Sequence, residues 1–184
     1  MTTDTTRSPG PADLECGAPF GPTTRGVLTV TGRFPDAVST DAQRLSGTVS
    51  VAATGREARG VVTPQAEAFL VREGRIVTLP LPQDSLGRRL DLADGRVERM
   101  TAMVSLLPCS GGVLTPGPHD LYVRVVLNHD DGSRTDSIGG PWPLECADAR
   151  MPRAVRPWAS CAAWCCVGCA SGVVPGVLRS SISR

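Results

Sequence analysis

Apolar and polar residues alternate one by one along most of this chain. In LSGTVSVAAT (45–54), Leu45, Val49 and Val51 share one face, while Thr48 and Ser50 share the other. A period of two is the geometry of a β-strand whose two faces meet different surroundings. Gly, Pro or Asp turns separate such segments, and none of them shows a convincing helical period. The pattern predicts an all-β chain.

The alternating segments predict about seven or eight strands. They lie within residues 26–34, 45–54, 58–63, 68–81, 96–107, 120–128 and 134–146. The segment 68–81 is predicted as two short strands joined by a tight turn at Glu73–Gly74. In segment 120–128 we expect Arg124 to point outward. Alternation favours antiparallel sheets with one face in water, so we predict an antiparallel β-sandwich.

The segment LTPGPHDLYVRVVLN (114–128) resembles the turn and penultimate strand of bacterial immunoglobulin-like and fibronectin-III-like modules. In those modules a turn of the form leucine–any–proline–glycine leads into a strand opened by a tyrosine. Leu114, Pro116 and Gly117 match the turn, His119 stands where the tyrosine usually does, and Tyr122 follows three residues later. The layout is also similar to proteinase-inhibitor-type sandwiches of bacteria. The resemblance implies an immunoglobulin-like sandwich and carries no functional residue across.

Composition divides the chain into three parts. Residues 1–24, rich in Thr, Pro and Gly, are predicted to be a flexible lead-in, and residues 25–146 to be the sandwich domain. Residues 147–184 form a Cys- and Arg-rich tail. Residues 1–148 hold fourteen arginines and eighteen acids, a net −4, whereas residues 149–184 hold five arginines and no acid, a net +5.

We expect the tail to be disordered or not native protein. A frameshift in the DNA of a GC-rich bacterium yields such a mixture of Arg, Ala, Gly, Cys and Trp, and the domain is already complete at Cys146. One alternative is a membrane anchor over the uncharged residues 158–178, which are long enough to span a bilayer. A second alternative is a zinc site made by Cys161, Cys165, Cys166 and Cys169.

Several function classes are excluded or disfavoured. All nineteen basic side chains are arginine, so the lysine of a P-loop, of a pyridoxal enzyme or of a Ser–Lys hydrolase is missing. The two histidines, His119 and His129, lie in no nucleophile motif. A near-neutral domain without basic clusters is a poor nucleic-acid binder. We therefore predict no enzyme, no cofactor and no nucleic-acid partner.

The cysteines of the domain predict one disulfide. Cys109 is common to both pairings that geometry allows. Cys146 is expected at the same pole of the sandwich as Cys109. Cys16 can also reach Cys109, because the chain from Cys16 to Arg25 spans about 30 Å when extended. Three free thiols are the alternative. A disulfide indicates an oxidising compartment, although the N-terminus as written has no signal peptide, so we expect the true start to lie upstream.

The segment NHDDGSRTD (128–136) groups three aspartates and a histidine, but its glycine comes one residue too early for a calcium loop. We therefore interpret Asp131–Gly132 as a hairpin turn and predict no metal site.

Three residues are candidate partner contacts. Trp142 lies between prolines on the last predicted strand and either contacts a partner or caps the core. Arg88 and Arg89 end LPLPQDSLGRR (79–89), a loop that would suit a protease inhibitor.

We predict a non-catalytic binding or structural module of a bacterial secreted or cell-surface protein. It would be a monomer that contacts an unknown protein or cell-envelope ligand through loops or an edge strand. The alternatives are a proteinase-inhibitor-type module and an ectodomain anchored through residues 158–178.

Overall fold

The computed structural model of the protein describes residues 14–21, 26–55, 57–83, 86–93 and 95–148, and the strands and side chains below belong to those ranges. Ten strands and no helix occur there, which confirms the all-β prediction. The count exceeds the predicted seven or eight partly because two strands have only three and two residues. The strands are β1 (Leu28–Arg33), β2 (Ala37–Ser39), β3 (Arg44–Ala53), β4 (Glu57–Val62), β5 (Gln65–Arg72), β6 (Arg75–Ile76), β7 (Arg88–Ala93), β8 (Val97–Ser105), β9 (Gly117–Asn128) and β10 (Arg134–Ala147).

The strands form one hydrogen-bonded sheet in the order β1-β3-β8-β5-β9-β10-β2. Strand β4 pairs with β7 and β9, and β6 pairs with β5. Most neighbours are antiparallel, but β5 runs parallel to β8, and β2 runs parallel to β10. The prediction of purely antiparallel sheets is therefore wrong. Alternation reports which face of a strand is buried and carries no information about the direction of its neighbour.

The sheet curls until β1 packs against β10. The backbone N–H of Leu28 donates a hydrogen bond to Ser137 Oγ at 3.1 Å. Glycines permit this approach, since a Cβ on Gly139 would lie 2.7 Å from the carbonyl oxygen of Val30. The layers β1-β3-β8 and β5-β9-β10 therefore enclose one interior.

Aliphatic side chains fill that interior, as a chain with only 4% aromatic residues requires. Burying one such side chain contributes about 1.5–3 kcal/mol. The large, fully buried members are Leu70, Leu90, Leu92, Leu106, Leu121, Leu127, Leu144, Val49, Val51, Val62 and Val104.

A second, smaller cluster covers the outer face of β5 and β9. Phe20 of the N-terminal segment packs edge-on against Phe69 and Tyr122, with ring centroids 5.0 and 4.7 Å away. Strand β9 is consequently buried on both faces from Leu121 to Leu127, and the expectation of one wet face fails for this strand.

Arg124 belongs to the same outer face and so points away from the aliphatic interior as predicted, but it is buried there and is not exposed to water as expected. Its side chain is 10% exposed, and its Nη2 lies 2.6 Å from Glu67 Oε2. Its Nη1 lies 3.5 Å from Asp136 Oδ2. Two carboxylates from the neighbouring strands compensate the buried cation.

Hydrogen-bonded structure continues beyond residues 25–146 at both ends. Residues 17–20, predicted as part of a flexible lead-in, run beside β6. Gly17 N donates to Ile76 O at 2.8 Å, and Phe20 N donates to Gly74 O at 2.8 Å. At the other end β10 continues to Ala147, one residue past the predicted limit of the domain.

The tail from residue 149 onward lies outside the described residues, and with it the predictions of a zinc site, a membrane anchor and disordered or non-native sequence. Within the described ranges no helix is long and apolar enough to cross a membrane.

Candidate binding site at the disulfide pole

One disulfide joins the N-terminal segment to the loop after β8. Cys16 and Cys109 are bonded, with their Cα atoms 5.7 Å apart. Cys109 N also donates to Val77 O at 2.8 Å, which holds this loop beside β6 and the N-terminal segment. We call this end of the molecule the disulfide pole.

Of the two predicted partners of Cys109, the structure has Cys16, and the pairing with Cys146 is not formed. Cys146 is a free, buried thiol on β10 that faces the aliphatic interior. Its cross-strand neighbour is Gly117 of β9. The side chain points into the core and not toward the loop that carries Cys109, because alternation along β10 places Leu144 and Cys146 on the same inner face.

A cavity of about 230 Å³ opens beside this disulfide. The N-terminal segment, β5, β6, the loop after β8 and the start of β9 all contribute to its wall. Its side-chain lining is mainly apolar, with an arginine and a histidine among the polar groups. The lining residues are Gly17, Arg72, Ile76, Val77, Pro108, Cys109, Ser110, Val113, Leu114, Thr115 and His119.

His119 contributes a buried acceptor without a partner. Its Nδ1 lies 3.0 Å from the carbonyl oxygen of Gly117. Because a carbonyl only accepts, Nδ1 carries the proton, and Nε2 of the neutral ring is an acceptor. Nε2 is buried and has no hydrogen-bond partner among the residues that the structure describes. Such a group costs about 1–3 kcal/mol when it is left unpaired.

The electrostatic surroundings keep this ring neutral. Burial lowers the pKa of His119, the hydrogen bond to Gly117 opposes that effect, and the charge of Arg72 lowers the pKa further. Glu145 and Asp120 act in the opposite sense, more weakly. A neutral imidazole whose Nδ1 carries the proton can accept a hydrogen bond through Nε2.

Arg72 supplies a loosely engaged cation to the same wall. Its Nη1 lies 3.4 Å from the carbonyl oxygen of Pro116, and its Nε lies 3.7 Å from Glu73 Oε1. The Glu73 side chain is 85% exposed, so this ion pair is weak. The guanidinium therefore keeps donors for a carboxylate or another oxyanion.

The predicted contact residue Trp142 caps the core instead of standing free. It is half-buried, and its ring centroid lies 5.3 Å from that of Phe34. A Cβ on Gly32 would lie 3.0 Å from its Cζ2 atom, so the indole rests on bare backbone where β1 meets β10.

Arg88 and Arg89 lie in β7 and not in an exposed loop. Arg88 Nη1 lies 2.6 Å from Glu98 Oε1. The guanidinium of Arg89 forms two hydrogen bonds to Asp130, at 2.9 and 3.2 Å. The described part of the predicted inhibitor loop thus lacks free arginines at its end.

The predicted hairpin turn at Asp131–Gly132 is present. Gly132 has φ of 82°, and His129 N donates to Ser133 O at 2.8 Å. His129 Nε2 lies 3.0 Å from Thr135 Oγ1. No group of three or more potential metal ligands occurs among the described residues.

Sequence reasoning named Cys109 and His119 but missed Arg72 and Val113 as neighbours of a cavity. One signal was available for His119, which replaces the tyrosine of the resembling modules. Val113 is 65% exposed at the rim, and nothing in its local sequence separates it from an ordinary loop residue.

Comparisons with known proteins identify no family. No family model matches the chain, and no curated protein matches it. A β-glucosidase from Listeria innocua in complex with isofagomine is similar at a TM-score of 0.36 and 11% identity, over 66% of this chain and 16% of the glucosidase. The chain therefore spans about a sixth of that enzyme's length. A Northeast Structural Genomics Consortium target, SoR45, is similar at a TM-score of 0.38 and 15% identity, over 67% of this chain and 88% of the target. Neither likeness supports an argument about function.

Proposed function

We propose that this protein is a non-catalytic binding module of a secreted or cell-surface protein, and that it binds its ligand at the disulfide pole. The observation that carries the proposal is a cavity lined by both Arg72 and His119, of which His119 has a buried Nε2 with no hydrogen-bond partner among the described residues. A ligand that completes both groups brings a hydrogen-bond donor and a carboxylate. The apolar wall adds a place for one aliphatic side chain, a combination found in the C-terminal end of a peptide.

The location outside the cytosol is supported by the disulfide. Disulfides persist in oxidising compartments and are rare in cytosolic proteins. The bond between Cys16 and Cys109 closes a long segment, since the two residues are 93 positions apart. It also fixes the wall of the cavity.

We also propose that the curled sheet is a variant of the immunoglobulin-like sandwich. The neighbours β1-β3-β8 follow the order of its A, B and E strands, and β5-β9-β10 follow the order of C, F and G. The hydrogen bond from His119 to Gly117 supports this, because it lies at the start of the penultimate strand, where the tyrosine of the resembling modules forms its own hydrogen bond to backbone.

A non-catalytic role is supported by the hydrogen-bond partners of the two histidines. His119 Nδ1 bonds to the backbone carbonyl of Gly117, and His129 bonds to Thr135 in the β9–β10 hairpin, outside the cavity lining. Protease inhibition is less well supported, because the arginines that suggested it are in β7 and paired with Glu98 and Asp130.

The test is a titration of the isotope-labelled protein with N-acetyl-leucine, followed by NMR. This probe has one amide donor, one carboxylate and one aliphatic side chain. We expect shifts at His119, Arg72 and Val113, and about tenfold weaker binding for Arg72→Gln, the loss of one charge-assisted contact. N-acetyl-leucinamide should lose affinity to a similar degree.

The matched control is Arg96→Gln, an exposed arginine remote from the cavity lining. It should bind N-acetyl-leucine like the parent protein. Shifts that spread over the surface, or equal binding of the acid and the amide, would count against the proposal.

A further inference from the structure

A second depression lies on the outer face of the layer β1-β3-β8. It is a shallow groove of about 420 Å³ whose floor carries hydroxyl groups and whose walls carry two arginines. Its lining residues are Thr31, Gly32, Arg33, Thr48, Ser50 and Arg99. None of them lines the cavity at the disulfide pole, so this site is independent of the proposed function.

The strand register places the two arginines on a diagonal across the groove. Thr31 pairs with Ser50, which pairs with Arg99, while Arg33 lies two residues along β1. Two strand spacings of about 4.8 Å and two residue rises of about 3.4 Å separate the Cα atoms by roughly 12 Å. Both long side chains can therefore reach a ligand that lies over Ser50.

Among the described residues, the two guanidinium groups have no counter-charge. Neither Arg33 nor Arg99 forms an ion pair or a side-chain hydrogen bond there, and no described acid lines the groove. This contrasts with the arginines of β4, β7, β9 and β10, which all contact carboxylates. Those are Arg59, Arg88, Arg89, Arg124 and Arg134.

The floor is also available for hydrogen bonding. The hydroxyl groups of Thr48 and Ser50 have no hydrogen-bond partner in the part of the chain that the structure describes. The Thr31 hydroxyl donates only a long bond, 3.4 Å, to the carbonyl oxygen of Ser50. Free hydroxyls both donate and accept, which matches the hydroxyl groups of a sugar.

We propose that this groove binds an acidic polysaccharide, with Arg33 and Arg99 on its carboxylate or sulfate groups and the floor hydroxyls on its sugar hydroxyls. A guanidinium forms paired hydrogen bonds with such planar or tetrahedral oxyanions. Its described lining has no aromatic side chain on which nucleic-acid bases stack. The same lining residues include no large apolar side chain to insert into a membrane.

The experiment measures binding of two probes to the full-length chain by calorimetry at low salt. One is a short oligogalacturonate, which carries carboxylates, and the other is a sulfated heparin oligosaccharide of similar length. A neutral dextran oligosaccharide serves as the uncharged comparison. A preference for one acidic probe identifies whether carboxylate or sulfate is the group recognised.

The variants are Arg33→Gln, Arg99→Gln and the double substitution, with Arg44→Gln as the matched control. Arg44 is exposed on β3 of the same layer, has no ion pair, and does not line the groove. We expect each single groove variant to bind the preferred probe about tenfold more weakly, and the double variant to lose more. Arg44→Gln should stay within about twofold of the parent protein.

The basic tail is the same in all these proteins, so differences between variants report the groove. Equal weakening by Arg44→Gln would show a general charge effect and overturn the proposal. Unchanged binding by the double variant, or equal binding of dextran, would overturn it as well. The groove variants should bind N-acetyl-leucine at the disulfide pole as the parent protein does. Failure of the groove proposal can therefore be distinguished from failure of the proposed function.

Discussion

His119 matters both for the fold and for the candidate site. It lies near the start of β9, its Nδ1 is hydrogen-bonded to Gly117, and its buried Nε2 has no partner among the described residues. The ring is buried as the neutral form, so its protonation opposes folding. This makes the stability of the domain sensitive to mildly acidic pH.

The first prediction concerns that sensitivity. Because the folded-state pKa of His119 is lower than the ordinary value of 6.5, the unfolded chain takes up the proton first as the pH falls. The contribution of neutral His119 to the free energy of unfolding is fully present above about pH 6.5. It is lost as the pH falls through the folded-state pKa. Urea unfolding between about pH 5 and 7.5 measures it. His119→Asn should flatten this dependence, whereas His129→Asn should leave it as it is.

A second prediction concerns the free thiol. Burial, reinforced by Glu145, raises the pKa of Cys146 to about 11, against a smaller opposing effect of Arg72. The thiolate is the reactive form, so Cys146 should resist iodoacetamide at about pH 8 in the native protein. It should be alkylated rapidly in denaturant. Peptide mapping by mass spectrometry distinguishes it from the tail cysteines, and labelling of native Cys146 would contradict its burial.

At the scale of elements, β9 differs most from an ordinary sandwich strand. Its inner face meets the aliphatic core, and its outer face meets Phe20 and the charges around Arg124. A strand that is covered on both faces has little contact with water. The charge of Arg124 on this strand must therefore be compensated by protein groups.

The third prediction tests that compensation. Glu67→Gln removes the carboxylate 2.6 Å from Arg124 and leaves a buried cation that still contacts Asp136. We expect a loss of about 2–3 kcal/mol in the free energy of unfolding, below the full cost of an uncompensated charge. Glu57→Gln, which breaks an exposed pair with Arg59, should cost less than about 1 kcal/mol. Equal losses in both variants would mean that the buried ion pair contributes no more to stability than the exposed one.

The contact between β1 and β10 supports a fourth prediction. A methyl group at Gly139 would lie 2.7 Å from the carbonyl oxygen of Val30 and 2.9 Å from Trp142, so Gly139→Ala forces β1 away. We expect a loss of about 1–3 kcal/mol, measured by thermal or urea unfolding. Gly55→Ala is the control, because a methyl group there meets nothing within 4 Å. A stable Gly139→Ala protein would show that the two strands separate easily.

For the whole molecule, the disulfide connects the N-terminal segment to the domain. The fifth prediction is that the double variant Cys16→Ser, Cys109→Ser loses about 3–4 kcal/mol of stability, because the unfolded chain is no longer constrained. Release of residues 14–21 should also expose Phe69 and Tyr122, which ANS fluorescence detects. Cys146→Ala is the control for removing a cysteine. It should lower stability by less and leave ANS fluorescence unchanged.

Much of the local structure follows from the chain alone. Alternation located most of the longer strands, and Glu73–Gly74 and Asp131–Gly132 form turns as their residue types require, with φ of 52° at Glu73 and 73° at Gly74. These features are local, because strand alternation and tight turns depend on the backbone conformation of residues that are adjacent in sequence. Cys109 was predicted as a disulfide cysteine, and His119 was noted at the start of a strand, because both are visible in a single segment, but neither was predicted to line a cavity.

Other features depend on segments that are distant in sequence. The choice of Cys16 over Cys146, the burial of Arg124 between Glu67 and Asp136, and the parallel pairing of β5 with β8 all arise where separate strands meet. The same holds for the groove between Arg33 and Arg99. The periodicity of each segment predicts which face of its strand is buried. It does not predict which strands become neighbours, because that depends on the curl of the sheet and on packing across the whole domain.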